Sequence, residues 1–242
     1  MIDYYAPSAE FYDMVAVRHT ASSGPPLARV LTGLDTSHGP VLEIGAGTGR
    51  ITEVIAATLP DAEILAAEPS PTMRAVLTAR IAKEADLRRR TTVLDGAAQD
   101  LKLPDRLSAV VVFGVAGHLD QPERTALWRR LARRLPAGGP IVVELMGVSA
   151  PRAIPPVMSL RETIGRQTYE WWIGGEPAGG DAMRFTTTWR VLREGRTVRE
   201  VEDSYDWHTF DVAQLGRESG MTSRRITEAG GHAIPEIGVL IA

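Results

Sequence analysis

The sequence contains no cysteine, which excludes disulfide frameworks and thiolate metal sites and leaves redox compartment unreadable from this residue. Lysine is nearly absent: Lys83 and Lys102 are the two present, and arginine supplies the remaining basic residues. Charge of either sign is not in large excess, since 27 basic against 30 acidic residues leave a net charge of −3. That balance gives no broad footprint for nucleic acid or an anionic membrane, so a small-molecule partner is expected. No run approaches the roughly 20 apolar residues of a membrane span. The opening Met1-Ile2-Asp3-Tyr4-Tyr5 lacks a basic region followed by an apolar one, and a cytoplasmic location is expected.

Against these absences one stretch stands out. The apolar, β-prone run Pro40-Val41-Leu42-Glu43-Ile44 passes directly into Gly45-Ala46-Gly47-Thr48-Gly49, and then into a helical pattern through Ile51, Val54, Ile55 and Leu59. It reads as strand, tight turn and helix, with a nucleotide-like ligand over the turn. Side chains at the glycines would block positive φ and hold such a ligand away from the backbone. A dinucleotide fingerprint would need its third glycine at position 50, where Arg50 stands, so the spacing favours a nucleoside ligand without a pyrophosphate.

Residues 8–34 read as two helices broken at Ser22-Ser23-Gly24-Pro25-Pro26, with Tyr4, Tyr5 and Tyr12 as polar-tipped aromatics near a site. A second strand over 62–68 ends on Glu68, nineteen residues past Gly49. That is close to the roughly 20-residue offset at which an acid meets the hydroxyls of a bound ribose. A helix from Pro71 to about Arg88 buries Met73, Val76 and Leu77, and strands follow over 91–94 and 107–113. Ligands of open α/β sheets lie beyond the carboxyl ends of the strands, which places His118 on the rim of the same crevice; the other four histidines read as structural. The helix over 121–135 carries Arg124, Arg129, Arg130, Arg133 and Arg134, spaced as an outer, solvated face. After a fifth strand over 141–146 the alternation stops. Strands over 167–173, 183–192 and 198–205 form an antiparallel excursion holding four of the five tryptophans, Trp171, Trp172, Trp189 and Trp207. It is expected to face the substrate. A helix over 210–219 and strands over 223–227 and 237–241 close the chain.

These motifs resemble the class I S-adenosylmethionine-dependent methyltransferases. The family pattern E-x-G-x-G-x-G corresponds to residues 43–49, its acid after strand two to Glu68, and its L-P-x-G-G to Leu135-Pro136-Ala137-Gly138-Gly139. The resemblance implies an α/β, Rossmann-like seven-stranded sheet with the last strand antiparallel, helices on both faces and an antiparallel β excursion after strand five. It implies one methyltransferase domain over 1–242, with 1–36 as an N-terminal helical cover and 148–210 as a substrate-facing insertion. The implied cofactor is S-adenosyl-L-methionine. Gly45, Gly47 and Gly49 then lie beside its methionine portion, Glu43 near its amino group and Glu68 on its ribose. Met73 and Gly96, Ala97 and Ala98 meet its adenine, and Tyr12, Ala46, Pro69, Phe113 and His118 complete its surroundings. Family members often carry an Asp where Ala97 stands, so the adenine amino group must be met by backbone or by Asp95 or Asp100.

Within the family the chain is similar to the sugar-amine N-methyltransferases of actinobacterial antibiotic pathways, through Asp3-Tyr4, Tyr12-Asp13 and Gly117-His118-Leu119. That likeness implies His118 and Tyr4 as catalytic residues, His118 as base or orienter and Tyr4 as a positioner. Tyr4, Met146 and the four excursion tryptophans are the expected substrate contacts. They suggest a small, partly aromatic or apolar natural-product acceptor, methylated on N or O, with C open, by in-line displacement. Metal assistance is not expected, because Phe113-Gly114 follows strand four where an acid would be needed. Nucleic-acid and membrane partners are not expected either, and a homodimer is left open. The rival reading is a cofactor-dependent cyclase or isomerase on the same scaffold, since fold does not fix chemistry.

Overall fold

A computed structural model describes residues 6–226 and 236–242. Seven strands form one sheet: β1 (Val41–Ile44), β2 (Ile64–Ala67), β3 (Thr91–Leu94), β4 (Ala109–Val112), β5 (Pro140–Leu145), β10 (Thr222–Ile226) and β11 (Glu236–Ile241). Their order is β10-β11-β5-β4-β1-β2-β3, with β11 antiparallel to both neighbours and the other pairings parallel. The expected seven-stranded α/β sheet with its last strand reversed is therefore present. Val110 and Val112 bury into one layer and Val111 into the other, so both faces of β4 are covered, as its continuous apolar run requires. Helices α2 (Arg50–Thr58) and α3 (Pro71–Lys83) cover one face; α5 (Gln121–Ala132) and α6 (Val212–Ser219) cover the other. No helix among the described residues is long and apolar enough to cross a membrane.

Local chemistry sets the boundaries. Ser70 caps α3 by accepting from Met73 N, with Pro71 in the first turn, and Asp120 and Glu123 form a reciprocal capping box on α5. The helix expected to reach about Arg88 instead ends at Lys83, and a short α4 (Ala85–Arg90) begins after an extended Glu84. The break lets Arg90 turn back and donate to Ala56 O, Leu59 O and Ala62 O, satisfying carbonyls at the end of α2.

The two expected N-terminal helices are one, α1 (Ala9–Leu31), running through Pro25 and Pro26. Interior prolines cost several kcal/mol in isolation, and tertiary packing outweighs them here. The first half lays Phe11 and Val15 on the excursion, the second lays Leu27 and Leu31 on the main sheet, and the helix must be continuous to span both. Gly24 sits over Val54, where an added Cβ would approach to 3.3 Å.

The excursion is a separate four-stranded antiparallel sheet, β6 (Ile154–Ile164), β7 (Gln167–Gly179), β8 (Ala182–Arg193) and β9 (Arg196–His208). The strand β6 had no counterpart in the sequence reading, because Pro155 and Pro156 argue against a strand; it is an edge strand, where prolines are tolerated. The arginine face of α5 also needs correction. Arg124 is fully buried, donating to both Glu218 carboxylate oxygens at 3.0 and 2.8 Å and to Leu119 O at 2.7 Å. Its guanidinium lies 4.3 Å from the Phe210 ring centre. Arg130 and Arg134 donate to carbonyls of Gln99, Leu101 and Pro104, while Arg129 and Arg133 are exposed. Spacing alone could not reveal that Arg124 finds a carboxylate on α6.

Two carboxyl groups lie within the α1 side of the sheet. Glu43 on β1 accepts from Thr52 Oγ1 at 2.6 Å, and Glu144 on β5 accepts from Ser23 Oγ at 2.5 Å. Burial pushes each up to about 7, partly offset by the hydroxyl donor. The folded protein therefore holds protons that the unfolded chain releases above its ordinary carboxylate pKa. Stability should fall as pH rises from about 4.5 to about 7, by about 3 kcal/mol for each group. Urea melts across pH 5 to 8 should show this decline, and Glu43→Gln should remove roughly half of it; an unaltered pH dependence in the variant would contradict the burial account.

Candidate active site

The turn after β1 is set by backbone geometry and one carboxylate. Gly45 and Gly47 have φ of +80° and +54°, a region side chains disfavour, and a Cβ on Gly45 would stand 2.2 Å from Val115 Cγ2. Glu68, at the end of β2, accepts from Gly47 N at 2.9 Å through one oxygen and from Ser70 N at 2.8 Å through the other. Arg74 secures the same corner, donating to Glu68 O and Pro69 O and pairing with Asp95 at 2.8 Å. From the other side, Asp13 of α1 accepts from Thr48 Oγ1 at 2.7 Å, Arg50 Nη2 at 2.6 Å and Arg80 Nη2 at 2.7 Å. Those donors hold the Asp13 carboxyl below its usual range against the opposing effect of burial.

Beyond the strand ends this turn borders a cavity of about 660 Å³, a volume suited to a small-molecule site. Of the expected residues, Tyr12, Gly45, Gly47, Glu68, Pro69, Met73, Gly96, Ala97, Ala98, Phe113 and His118 all line it. Four other expected residues do not line it. Glu43 lies beneath the turn, bonded to Thr52, and does not reach the cavity. Gly49 caps α2, where a Cβ would meet Leu77 Cδ1 at 2.7 Å, so its absence of a side chain serves helix packing. Ala46 borders only a smaller recess behind the turn. Met146 packs against the cluster of Met183, Phe185 and Trp207. Tyr4 lies outside the described residues. Asp95 and Asp100 do not line the cavity either, whereas Gln99 does.

None of the four excursion tryptophans lines the cavity. Trp189 stacks on Phe11 with ring centres 5.1 Å apart, and Trp171 lies beside it, so these rings fasten α1 to the excursion. Trp172 lies under the Arg190 guanidinium and donates to Glu170. Trp207 is buried against the turn Ala116–His118, where a Cβ on Gly117 would fall 1.9 Å from its ring. The excursion instead presents Arg184, Ser204, Tyr205, Asp206 and His208 to the cavity. Arg184 binds Asp206 through two hydrogen bonds of 2.8 and 2.9 Å, and His208 Nδ1 lies 2.8 Å from Asp181 Oδ1. Strand alternation offered no means of telling which face of β8 and β9 would look into the site.

His118 sits between this polar wall and the turn. Its ring packs edge-on to Trp207, centres 5.0 Å apart, and 5.5 Å from Tyr205. Burial lowers its pKa to about 4, with donation to the Asp206 backbone carbonyl acting against that. The imidazole is thus neutral near pH 7, with one nitrogen donating and the other carrying a lone pair. Tyr12 and Tyr205 are held as neutral phenols, both first by burial; Glu144 and Glu68 add to the effect at Tyr12, and Tyr12 and Asp203 at Tyr205. The site offers a carboxylate, neutral hydrogen-bonding groups and the apolar side chains of Met73 and Ala97. That donor set fits a cationic nucleoside, and the bare turn at Gly47 admits close approach.

Residues 41–139 match the family described as a methyltransferase domain. No curated protein matches the chain. Among solved structures the chain is similar to DesVI of Streptomyces venezuelae, at 20% identity over 100% of this chain and 99% of that one, with a TM-score of 0.74. It is similar to KedS8, a sugar N-methyltransferase from Streptoalloteichus sp., at 19% identity over 95% and 92% of the two chains and a TM-score of 0.70. It is also similar to SAM-bound CalS10, an amino pentose methyltransferase from Micromonospora echinaspora involved in calicheamicin biosynthesis, at 17% identity over 90% and 89% and a TM-score of 0.68. At these identities the likeness speaks to fold.

The packing of His118 on Trp207 through Gly117 gives a direct test. Gly117→Ala should push the indole and the imidazole apart and lower methyl-transfer turnover by about a hundred-fold, the scale of an ångström misplacement. Trp172→Ala should leave turnover within about two-fold, as a surface change remote from the chemistry. Equal losses in both variants, measured by S-adenosylhomocysteine release, would contradict the placement.

Proposed function

We propose that the chain is an S-adenosylmethionine-dependent methyltransferase and that it methylates an amine nitrogen of a small, polar natural-product acceptor, with His118 orienting that nitrogen. The cofactor supplies an electrophilic methyl group on a sulfonium. Glu68 holds the ribose hydroxyls, Met73 and Ala97 sandwich the adenine, and Gln99 stands at its polar edge. The whole chain acts as one domain, with α1 as cover and β8 and β9 as the acceptor-facing wall. Tyr205 and the Arg184–Asp206 pair border the acceptor's place, and so polar a wall suits a sugar-like amine better than an aromatic ring. The relatives named as sugar or amino pentose methyltransferases support the same choice.

The observation that carries this reading is the seat of His118, buried, neutral and oriented by Asp206. An alkylammonium titrates near 10, so passing its proton to a group at about 4 would be uphill by about 8 kcal/mol. His118 is therefore an orienter that accepts a hydrogen bond from an amine already neutral, while the acceptor loses its proton to water before it binds. Activity should then rise with pH as the free amine population rises. His118→Asn, which retains an acceptor oxygen, should lower kcat by about ten-fold and leave the shape of the pH profile unchanged. A loss of about a thousand-fold or more with a shifted profile would instead identify a general base. Product formed without an equivalent of S-adenosylhomocysteine would favour the cyclase or isomerase reading.

A further inference from the structure

A primary amine in line with a methyl donor has one bond to the rest of its molecule, a lone pair aimed at the methyl carbon, and two N–H groups. His118 can accept from one of those hydrogens, which leaves the nitrogen free to turn about that bond. A second acceptor beside His118 would fix the lone pair on the line of attack. Most polar groups of the excursion wall are committed elsewhere. Arg184 offers donors alone, both Asp206 carboxylate oxygens accept from it, and His208 Nδ1 is turned to Asp181. Ser204, Asp206 and His208 also alternate to the opposite face of β9 from Tyr205 and Trp207, the two residues whose rings pack against His118. Tyr205 is thus the cavity residue of that face with an oxygen to offer. Its ring stands 5.5 Å from the imidazole, stacks on its cross-strand partner Phe185 at 5.7 Å and meets Trp207 edge-on at 6.5 Å. Phe185 and Trp207 are buried, so the phenol cannot swing aside without opening a packed cluster. Burial keeps its proton in place, and Tyr12, which stands over Gly47, is near enough to reinforce that effect. A phenol oxygen can donate its proton to one partner and still accept from another.

We propose that the Tyr205 hydroxyl is the second acceptor for the amine, that it and His118 together aim the lone pair, and that the substrate is therefore a primary amine methylated once. The inference rests on the amine reading above and deepens it. As the lone pair forms the N–C bond, the C–S bond breaks and its electron pair stays on sulfur. The products are S-adenosylhomocysteine and a methylammonium that keeps both N–H groups. Positive charge grows on nitrogen along this path, so both hydrogen bonds strengthen toward the transition state, where they lower the barrier. The product passes its extra proton to water on leaving. If it returned as a secondary amine, a methyl group would replace one N–H, and one acceptor would face carbon in a buried place. Neither acceptor can retreat to make room. Phe185 and Trp207 hold Tyr205, and the bare Gly117 lets Trp207 press directly on the turn that carries His118.

Two measurements test this, one of which needs no acceptor. Sinefungin carries an amine in place of the sulfonium methyl, so its N–H groups point into the acceptor's place, where S-adenosylhomocysteine has nothing. In calorimetric titrations Tyr205→Phe should weaken sinefungin by about ten-fold and leave S-adenosylhomocysteine within about two-fold, the scale of one hydrogen bond to a charged group. The second measurement is turnover of amino-sugar methyl glycosides, each offered as the primary amine and as its N-methyl derivative. The wild type should favour the primary amines by about thirty-fold or more in kcat/KM and stop at one methyl by mass spectrometry. Tyr205→Phe should slow the primary amines far more than the N-methyl ones, so that the preference collapses. A dimethylated product from the wild type, or equal use of the two amines, would overturn the inference whether or not the variant folds. Equal effects of Tyr205→Phe on sinefungin and S-adenosylhomocysteine would also overturn it, since the phenol would then serve packing alone. If none of the glycosides is turned over, the sinefungin titration decides by itself. Methyl transfer to oxygen would remove the amine reading beneath the inference, and failure to bind either cofactor analogue would remove the cofactor reading.

Discussion

The two hydrogen bonds that Glu68 accepts, from Gly47 N and Ser70 N, are the constraint on which the site depends. They join the end of β2 to the turn after β1, so the backbone that a ligand approaches is fixed by the group proposed to hold its sugar. Turns with positive φ at two glycines have little intrinsic preference for one conformation. The carboxylate, reinforced by Arg74 behind it and by Asp13 through Thr48 in front, selects one. A charged acceptor with backbone donors gives stronger and shorter bonds than a neutral pair, and Glu68 so held lines the cavity.

A second organising feature is α1, which belongs to both sheets. Its first turns pack on Trp189 and its last on the main sheet, and between them Tyr12 and Asp13 reach the glycine turn. The helix that closes the cofactor side therefore also fixes the distance to the wall supplied by β8 and β9. The buried Arg124–Glu218 pair extends this rigidity to the far side, because the same guanidinium donates to Leu119 O, one residue beyond His118. Each site residue is thus held by an element whose main packing lies elsewhere.

Much of the architecture was legible in the chain because periodicity reports burial. The continuous apolar run of β4, the strand-turn-helix at residues 41–58 and the offset between Gly49 and Glu68 each carry a local physical cause. So does the position of His118 after a buried parallel strand. What was not legible depended on partners distant in sequence. Pro25 and Pro26 read as a break, and only the two surfaces that α1 bridges outweigh them. The tryptophans read as substrate contacts, because an aromatic residue in a strand does not reveal which face a neighbouring helix will cover. Arg184, Asp206 and His208 carried no pattern at all; their place at the cavity follows from the register of β8 on β9. Glu43 matched a family motif while its side chain went to Thr52, a reminder that a motif fixes a backbone position and leaves the side chain's surroundings open.

The central claim, that a carboxylate-braced glycine turn holds an adenosyl cofactor by its ribose, is tested most directly by titrating the protein with S-adenosylhomocysteine before and after Glu68→Gln. That variant keeps one acceptor oxygen for the turn and loses the charge. The account predicts saturable binding by the wild type and an affinity lower by about a hundred-fold in the variant, with a loss of thermal stability of about 1–3 kcal/mol because the amide nitrogen meets one of the two backbone donors. Indistinguishable affinities for the two proteins, or no binding by the wild type, would contradict it.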